Sequence, residues 1–256
     1  MQTQSIRLDE HPQILDLYEV LEKNGLHKQK EDVQSLVGYV ESMEYNLSVI
    51  MNEIQEMHAE VKRLHDRGIR NQCGKIISKA EDKIHQAKTM VSVIKVRLID
   101  AAGNAVKTCK ENGKSALIRA VEAMRVSTAL SKIKSGFSHM SQSMRQSAGQ
   151  IDVIRGELHE VGGHMKNAGR ALLGRSAKQA GNLEADKGVL AKLRGFLESC
   201  GDTFSKMERN ADKLIDKIRQ SEEQTKQKQS VKSDLRQLKT ERLEKSKAPV
   251  IKEQAR

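Results

Sequence analysis

From Val33 to Leu64 the apolar residues fall into an unbroken seven-residue repeat. Val33, Val40, Leu47, Ile54 and Val61 hold one position, and Leu36, Met43, Ile50, Met57 and Leu64 hold another three residues further on. Such a run leaves few options. A strand would alternate its apolar residues with a period of two, whereas a period of seven lays both rows along one face of a helix that needs a second helical face to cover it. A repeat sustained this long also implies a left-handed supercoil.

The cover is close by in the chain. A second repeat sets Ile77, Ile84, Val91, Leu98 and Ala105 at one position and Ala80, Ala87, Ile94 and Ala101 at the other. If the chain turns back through a break containing Gly68 and Gly74, Ile54 meets Ala87, Val61 meets Ala80, Ile50 meets Val91, Leu47 meets Ile94 and Val40 meets Ala101. Large residues then face small ones at several layers, which permits close packing. The same pairing brings Glu44 towards Lys95 and Glu60 towards Lys83. An antiparallel coiled-coil hairpin over residues 29–110 is therefore expected, its seam formed by Val40, Leu47, Ile50, Ile54, Met57, Val61, Ala80, Ile84, Ala87, Val91, Ile94 and Leu98.

The rest of the chain follows the same grammar. Residues 1–28 hold a short helix with Pro12 near its start, an apolar face of Ile14, Leu15, Leu17, Tyr18 and Leu21, and Asn24-Gly25 as its stop. Over residues 114–173 a third seam steps from Leu130 through Phe137, Met144, Ile151, Leu158 and Met165 to Leu172, with Ser147 as its polar layer. One straight helix here would outreach the hairpin arms, so a kink near Ser135-Gly136 is expected. Residues 174–187 read as a linker, and residues 188–219 as an amphipathic helix with a seam from Leu190 through Phe204 to Ile218. Residues 220–256 are rich in Lys, Gln and Ser and poor in apolar residues, so a mostly disordered basic tail is expected. The fold class is all-α: an elongated helical bundle carrying the hairpin and the tail.

Composition narrows the function classes. Only 37% of the 256 residues are hydrophobic and 2% aromatic, against 31% charged, which suits long helices better than a compact α/β enzyme. No run approaches the about 20 apolar residues of a membrane-spanning helix, and Arg7, Asp9 and Glu10 interrupt the start where an export signal would need an apolar stretch. Three widely spaced cysteines, Cys73, Cys109 and Cys200, without C-x-x-C spacing, suit reduced thiols, so a cytoplasmic protein is expected. Residues 1–70 hold 8 Lys and Arg against 13 Asp and Glu, a charge of −5, so the remaining residues carry +16 of the net +11. Such asymmetry points to an acidic partner for the later part, or to pairing between the two parts.

Chemistry is hard to find. Neither G-x-x-x-x-G-K-[ST] nor G-x-G-x-x-G occurs, so no glycine-rich turn gathers backbone amides around phosphate, and H-E-x-x-H and G-x-S-x-G are also missing. His58 and His65 share a helix face near Glu60 and Glu81, but i, i+7 spacing sets the rings about 10 Å apart, too far for one ion. No catalytic, cofactor or metal residues, and no small-molecule substrate, are therefore expected. Lys166, Arg170, Arg175 and Lys178 are the candidate contacts to a polyanion, either nucleic acid or an anionic membrane surface. They lack the neighbouring aromatics that stack on single-stranded bases.

Three stretches carry a resemblance: HPQILDLYEVLEKNGLHKQKEDVQSLVGYVESMEYNL from His11 to Leu47, HMKNAGRALLG from His164 to Gly174, and DKGVLAKLRGFLESCGDTFSKMERNADK from Asp186 to Lys213. Together with the basic terminus VIKEQAR they resemble an uncharacterised family of helical, coiled-coil-rich proteins encoded on conjugative and other mobile elements of anaerobic Gram-positive bacteria. The resemblance implies a cytoplasmic bacterial protein tied to transfer or maintenance of such an element, and it supplies no site residues. The functional expectation is a non-enzymatic interaction or scaffold protein with a protein partner. Sequence-nonspecific nucleic-acid binding and peripheral membrane binding stand as alternatives.

Overall fold

The computed structural model describes residues 7–123, 126–177 and 188–245, with side chains placed outside 123–129, 221–222 and 224–245. These residues form six helices: α1 (Pro12–Lys23), α2 (His27–Lys62), α3 (Arg67–Asn112), α4 (Lys114–Ala123), α5 (Val126–Leu172) and α6 (Val189–Lys245). No strand occurs among the described residues, and the fold is all-α. The chain divides into two compact units, Met1–Ile215 and Asp216–Arg256. All the packing described below belongs to the first.

α1 begins on Pro12, whose fixed φ suits a first turn. Its end is set by Gly25 at φ 65°, from which the Gly25 N–H donates to the Glu22 carbonyl and the Leu26 N–H to the Leu21 carbonyl, both at 2.9 Å. This pair of backward bonds satisfies carbonyls left open at a helix end, and the buried Leu21 and Leu26 make the accompanying apolar contact. Ile14, Leu17 and Leu21 are buried where α1 packs on α3 and α2. Tyr18 is half-buried, and Leu15, expected on the same face, is exposed.

α2 and α3 form the antiparallel hairpin. Val40, Leu47, Ile50, Ile54, Val61, Ala80, Ile84, Ala87, Val91, Ile94 and Leu98 are buried, and Met57 is half-buried. Ala102 takes the buried place expected of Ala101. The turn falls earlier than the glycines suggested. It occupies Arg63–Asp66, and Gly68 and Gly74 lie inside α3, because the Asp66 carboxylate accepts the Ile69 N–H at 2.9 Å and starts the helix there. Lys95 reaches Glu44 at 2.9 Å, as the pairing requires. Glu60 does not meet Lys83. It turns to Arg63 at 3.1 Å and to Lys192 of α6 at 3.7 Å, since α6 lies along that side of α2.

α5 and α6 complete a four-helix bundle. Lys134 meets Asp212 and Arg194 meets Asp152, so α6 runs antiparallel to α5. Tyr39 donates to the Met207 carbonyl at 2.7 Å while Glu60 meets Lys192, so α6 is also antiparallel to α2. With α3 antiparallel to α2, the four helices alternate in direction. Phe137 and Phe204, both fully buried, stack obliquely with ring centroids 5.8 Å apart in the middle of this core.

Within the segment expected as one kinked piece over 114–173, the kink near Ser135-Gly136 is not formed: α5 runs uninterrupted through both residues, and residues 124–125, between α4 and α5, lie outside the described residues. Gly136 serves close packing, because a Cβ there would sit 2.5 Å from the Met90 methyl on α3. Gly201 plays the same part on α6, where a Cβ would approach Arg145 at 3.2 Å and the Ser141 carbonyl at 3.4 Å. α6 itself continues to Lys245, past the Arg219 boundary set by its apolar seam. Lys, Glu, Gln and Arg are good helix formers, so backbone helix outlasts the packed face. The last residues of the expected tail, 246–256, lie outside the described residues.

Candidate interaction surface

Register decides where the bundle ends. Stepping back along α6 from the Arg194–Asp152 pair, the first residue of α6, Val189, falls level with Glu157 of α5. Stepping back along α3 from the Met90–Gly136 contact, its first residue, Arg67, falls level with His159. α2 ends at Lys62, two residues beyond the Glu60 that pairs with Lys192. Three helices therefore stop at one level while α5 runs on to Leu172. Residues 158–172 form an arm about 22 Å long with no helix of the bundle beside it.

The arm keeps the seam of the buried part. Leu130, Ile133, Phe137, Met140, Met144, Ser147, Ile151 and Ile154 are buried, and the same steps of three and four continue as Leu158, Val161, Met165, Ala168 and Leu172. Exposure rises at the predicted level, with Leu158 at 38%, Val161 at 55%, Met165 at 73% and Leu172 at 88%, and Leu173 at 72% in the turn that follows. Glycine at φ 67° closes the arm: the Arg175 N–H donates to the Arg170 carbonyl and the Gly174 N–H to Ala171. The arm thus carries a regular, exposed apolar face on a helix that projects past the ends of its bundle neighbours.

Two of the basic candidates, Lys166 and Arg170, sit on this arm, and Arg175 follows its closing turn. Lys166 and Arg175 are exposed, Arg170 is half-buried with its Nε donating to the Ser176 carbonyl at 2.8 Å, and Lys178 lies outside the described residues. Glu157 borders the stripe at the base of the arm, Glu160 and Lys166 lie farther round on opposite sides of it, and Arg170 lies on the back of the helix. The arm is thus amphipathic with a charge difference across its stripe.

A second concavity lies beside the hairpin. A groove of about 770 Å³ is bordered by Arg7, Glu41, Tyr45, Lys88 and Lys95. Arg7, Glu41 and Lys95 are engaged within the chain. Arg7 bridges Asp9 at 2.8 Å and Glu41 at 3.4 Å, the Asp9 N–H donates to Glu41 at 3.1 Å, and Lys95 holds Glu44. These contacts fasten the segment before α1 onto α2, and nearby Tyr18 has its phenol pushed up to about 12, first by burial and then by Asp9 and Glu41.

Reactive groups do not converge. His58 donates to the Glu81 carboxylate at 3.0 Å across the hairpin, and His65 is exposed beyond the end of α2. Among the described residues no three His, Cys, Asp or Glu side chains are placed to hold a metal ion. Burial raises the thiols of Cys73 and Cys200, so both stay protonated and unreactive in the core. No described helix is long and apolar enough to cross a membrane. Sequence periodicity contained the arm's residues but read them as one more core seam; only the register shows that none of the described helices lies against them.

A model described as a family of unknown function (DUF6674) matches residues 10–256. No curated protein and no solved structure matches the chain.

Proposed function

The chain belongs to the DUF6674 family of unknown function, and from that premise we propose that it is a non-enzymatic interaction or scaffold protein whose working surface is the arm of α5. The observation that carries this reading is the seam crossing the end of the bundle without a change of pattern, from buried Ile154 to exposed Leu172. Burying a large aliphatic side chain contributes roughly 1.5–3 kcal/mol, so leaving several in water is a standing drive to association. A role in the transfer or maintenance of a mobile genetic element, in a cytoplasmic setting, is the further step that the resemblance suggests.

The test is capture from native cells with nuclease-treated extract, comparing the wild type with Leu172→Asp. Partners held by the arm should be lost with the variant; an identical set of partners from both chains would remove the arm from the reading. The exposed Lys166 and Arg175, in the part of the chain after residue 70 that carries +16, favour polyanion binding as the second reading. Affinity for duplex DNA should then fall steeply with added salt, and a flat response would dismiss it. Vesicles of anionic lipid put the membrane alternative to the same salt test.

A further inference from the structure

We infer that the arm of α5 pairs, antiparallel and across a two-fold axis, with the arm of a second copy of this chain. The inference rests on the reading of the arm as an interaction surface and names its occupant.

Geometry restricts the occupant first. The open seam continues the face on which α3 and α6 already lie, so a covering helix must sit directly above the end of the bundle. A second copy in parallel orientation would bring its own bundle into the same space. In antiparallel orientation its bundle lies at the far end of the pair, and both clear each other.

One register satisfies clearance and chemistry together. Val161 lies opposite Leu172 of the second copy and Met165 opposite Ala168, and the two-fold repeats each layer. The second copy's Leu173 is then level with Glu160, just past the bundle end. Sliding by one heptad would drive Leu172 down to the level of Ile154, where α6 already packs. In the permitted register the positions flanking the seam place Gly162 beside Gly169 and His164 beside Ala171. No like charges are opposed, and Lys166 and Arg170 stay on the outer surface.

The glycines support the same conclusion independently. Glycine weakens a helix interior by about 1 kcal/mol relative to alanine, and a Cβ at Gly162 or Gly169 would meet nothing within 4 Å. No contact among the described residues calls for glycine there, whereas a second helix approaching along that flank would make use of it. Area agrees as well. Val161, Met165, Leu172 and Leu173 each expose more than half of their surface on every arm, and covering two such faces approaches the scale of about 1,200 Å² at which specific interfaces begin. An anionic membrane fits less well, because Glu157 borders the stripe, with Glu160 farther round on that side, and the arm has no aromatic anchor.

Sedimentation velocity of the full chain should give a concentration-dependent species of twice the chain mass. Met165→Asp should weaken it at least tenfold without lowering the melting temperature, since Met165 supports nothing inside the bundle. Gly169→Leu separates pairing from mere stickiness: it adds apolar surface and helix propensity, yet should also weaken the dimer at least tenfold by blocking the close flank. Spin labels at Asn167→Cys and Gly156→Cys, in a Cys109→Ser background, should lie under about 20 Å and beyond about 30 Å from their own counterparts, respectively. A wild-type monomer at 100 µM (on the order of a hundred times a micromolar Kd), an unaffected Gly169→Leu dimer, or equal label separations would each overturn the inference. A monomer whose captured partners still depend on Leu172 would sink the self-pairing and spare the proposed function. A monomer whose captured set is indifferent to Leu172 would sink both.

Discussion

The contact between Phe137 and Phe204 tests whether α5 and α6 close one core, a pairing that no short loop enforces. Both rings are fully buried, with centroids 5.8 Å apart and planes inclined at 32°. Phe137→Ala removes an entire ring from a site whose surroundings are held close by Gly136 against Met90 and by Gly201 against Arg145 and Ser141. Backbones already this near have little room to collapse into the vacancy. The expected loss is therefore in the upper part of the about 3–5 kcal/mol range for buried Phe→Ala changes. Phe204→Ala should cost a similar amount. The double variant should fall short of the summed single losses by about 0.5–1.5 kcal/mol, the worth of the ring–ring contact beyond its area. Urea titrations followed by far-ultraviolet circular dichroism supply all four stabilities, provided the slopes agree. Single losses under about 1 kcal/mol, or losses that simply add, would refute the packing argued here.

Other outcomes are open to simple measurement. Ile54→Asp places a carboxylate where Ile54 is fully buried, and should lower stability by several kcal/mol, whereas Asp at the exposed Gln55 should change it by under about 0.5 kcal/mol; thermal melts separate the two. Truncation after Arg219 should leave the melting temperature nearly unchanged, because the first compact unit ends at Ile215, and should weaken any salt-dependent binding to heparin. Stability should fall at alkaline pH. Burial raises the protonation constants of Cys73, Cys200, Tyr18 and Tyr39, so the unfolded chain releases these protons from pH 9 upwards while the folded chain keeps them. The stability present below that pH is lost as it climbs, by up to about 1.4 kcal/mol per unit for each group, and Cys200→Ala should flatten the slope.

The hairpin was legible because its evidence is local and redundant: two repeats in one register, large against small at Ile54 and Ala87, and Glu44 set against Lys95. Its turn lies before the glycines because a capping carboxylate, Asp66, and not Gly68 or Gly74, decides where α3 begins. Gly136 likewise invites a kink, although a glycine in a seam can equally serve a neighbour's approach, as Met90 shows. What periodicity cannot express is how far partners extend. Leu158, Met165 and Leu172 have the same signature as Phe137 and Met144, and only the starting points of α3 and α6 separate covered from uncovered. The alternating bundle was illegible in turn, since it depends on contacts such as Tyr39 with Met207 that lie far apart in sequence.

Sixteen residues separate Leu172 from Val189, so the connection imposes almost no axial constraint on α6. Aliphatic rows are tolerant gauges; slid by one heptad, they still find aliphatic neighbours. α6 is indexed instead by two hydroxyls from different helices, each aimed at one of its main-chain carbonyls. Tyr39 of α2 meets Met207 at 2.7 Å, and Ser141 of α5 meets Gly201 at 2.8 Å. Main-chain carbonyls recur at every residue of a helix, so what distinguishes one heptad from the next is the side chains around them: Ser141 also shares a 2.8 Å hydrogen bond with the Ser205 hydroxyl and packs against Gly201, places that a slide of seven residues would fill with Glu198 or Asp212 and with Arg194 or Glu208. Hydroxyl and glycine together thus work as a vernier for the longest of the described helices, fixing its position to the residue where its apolar face alone would fix it only to the heptad.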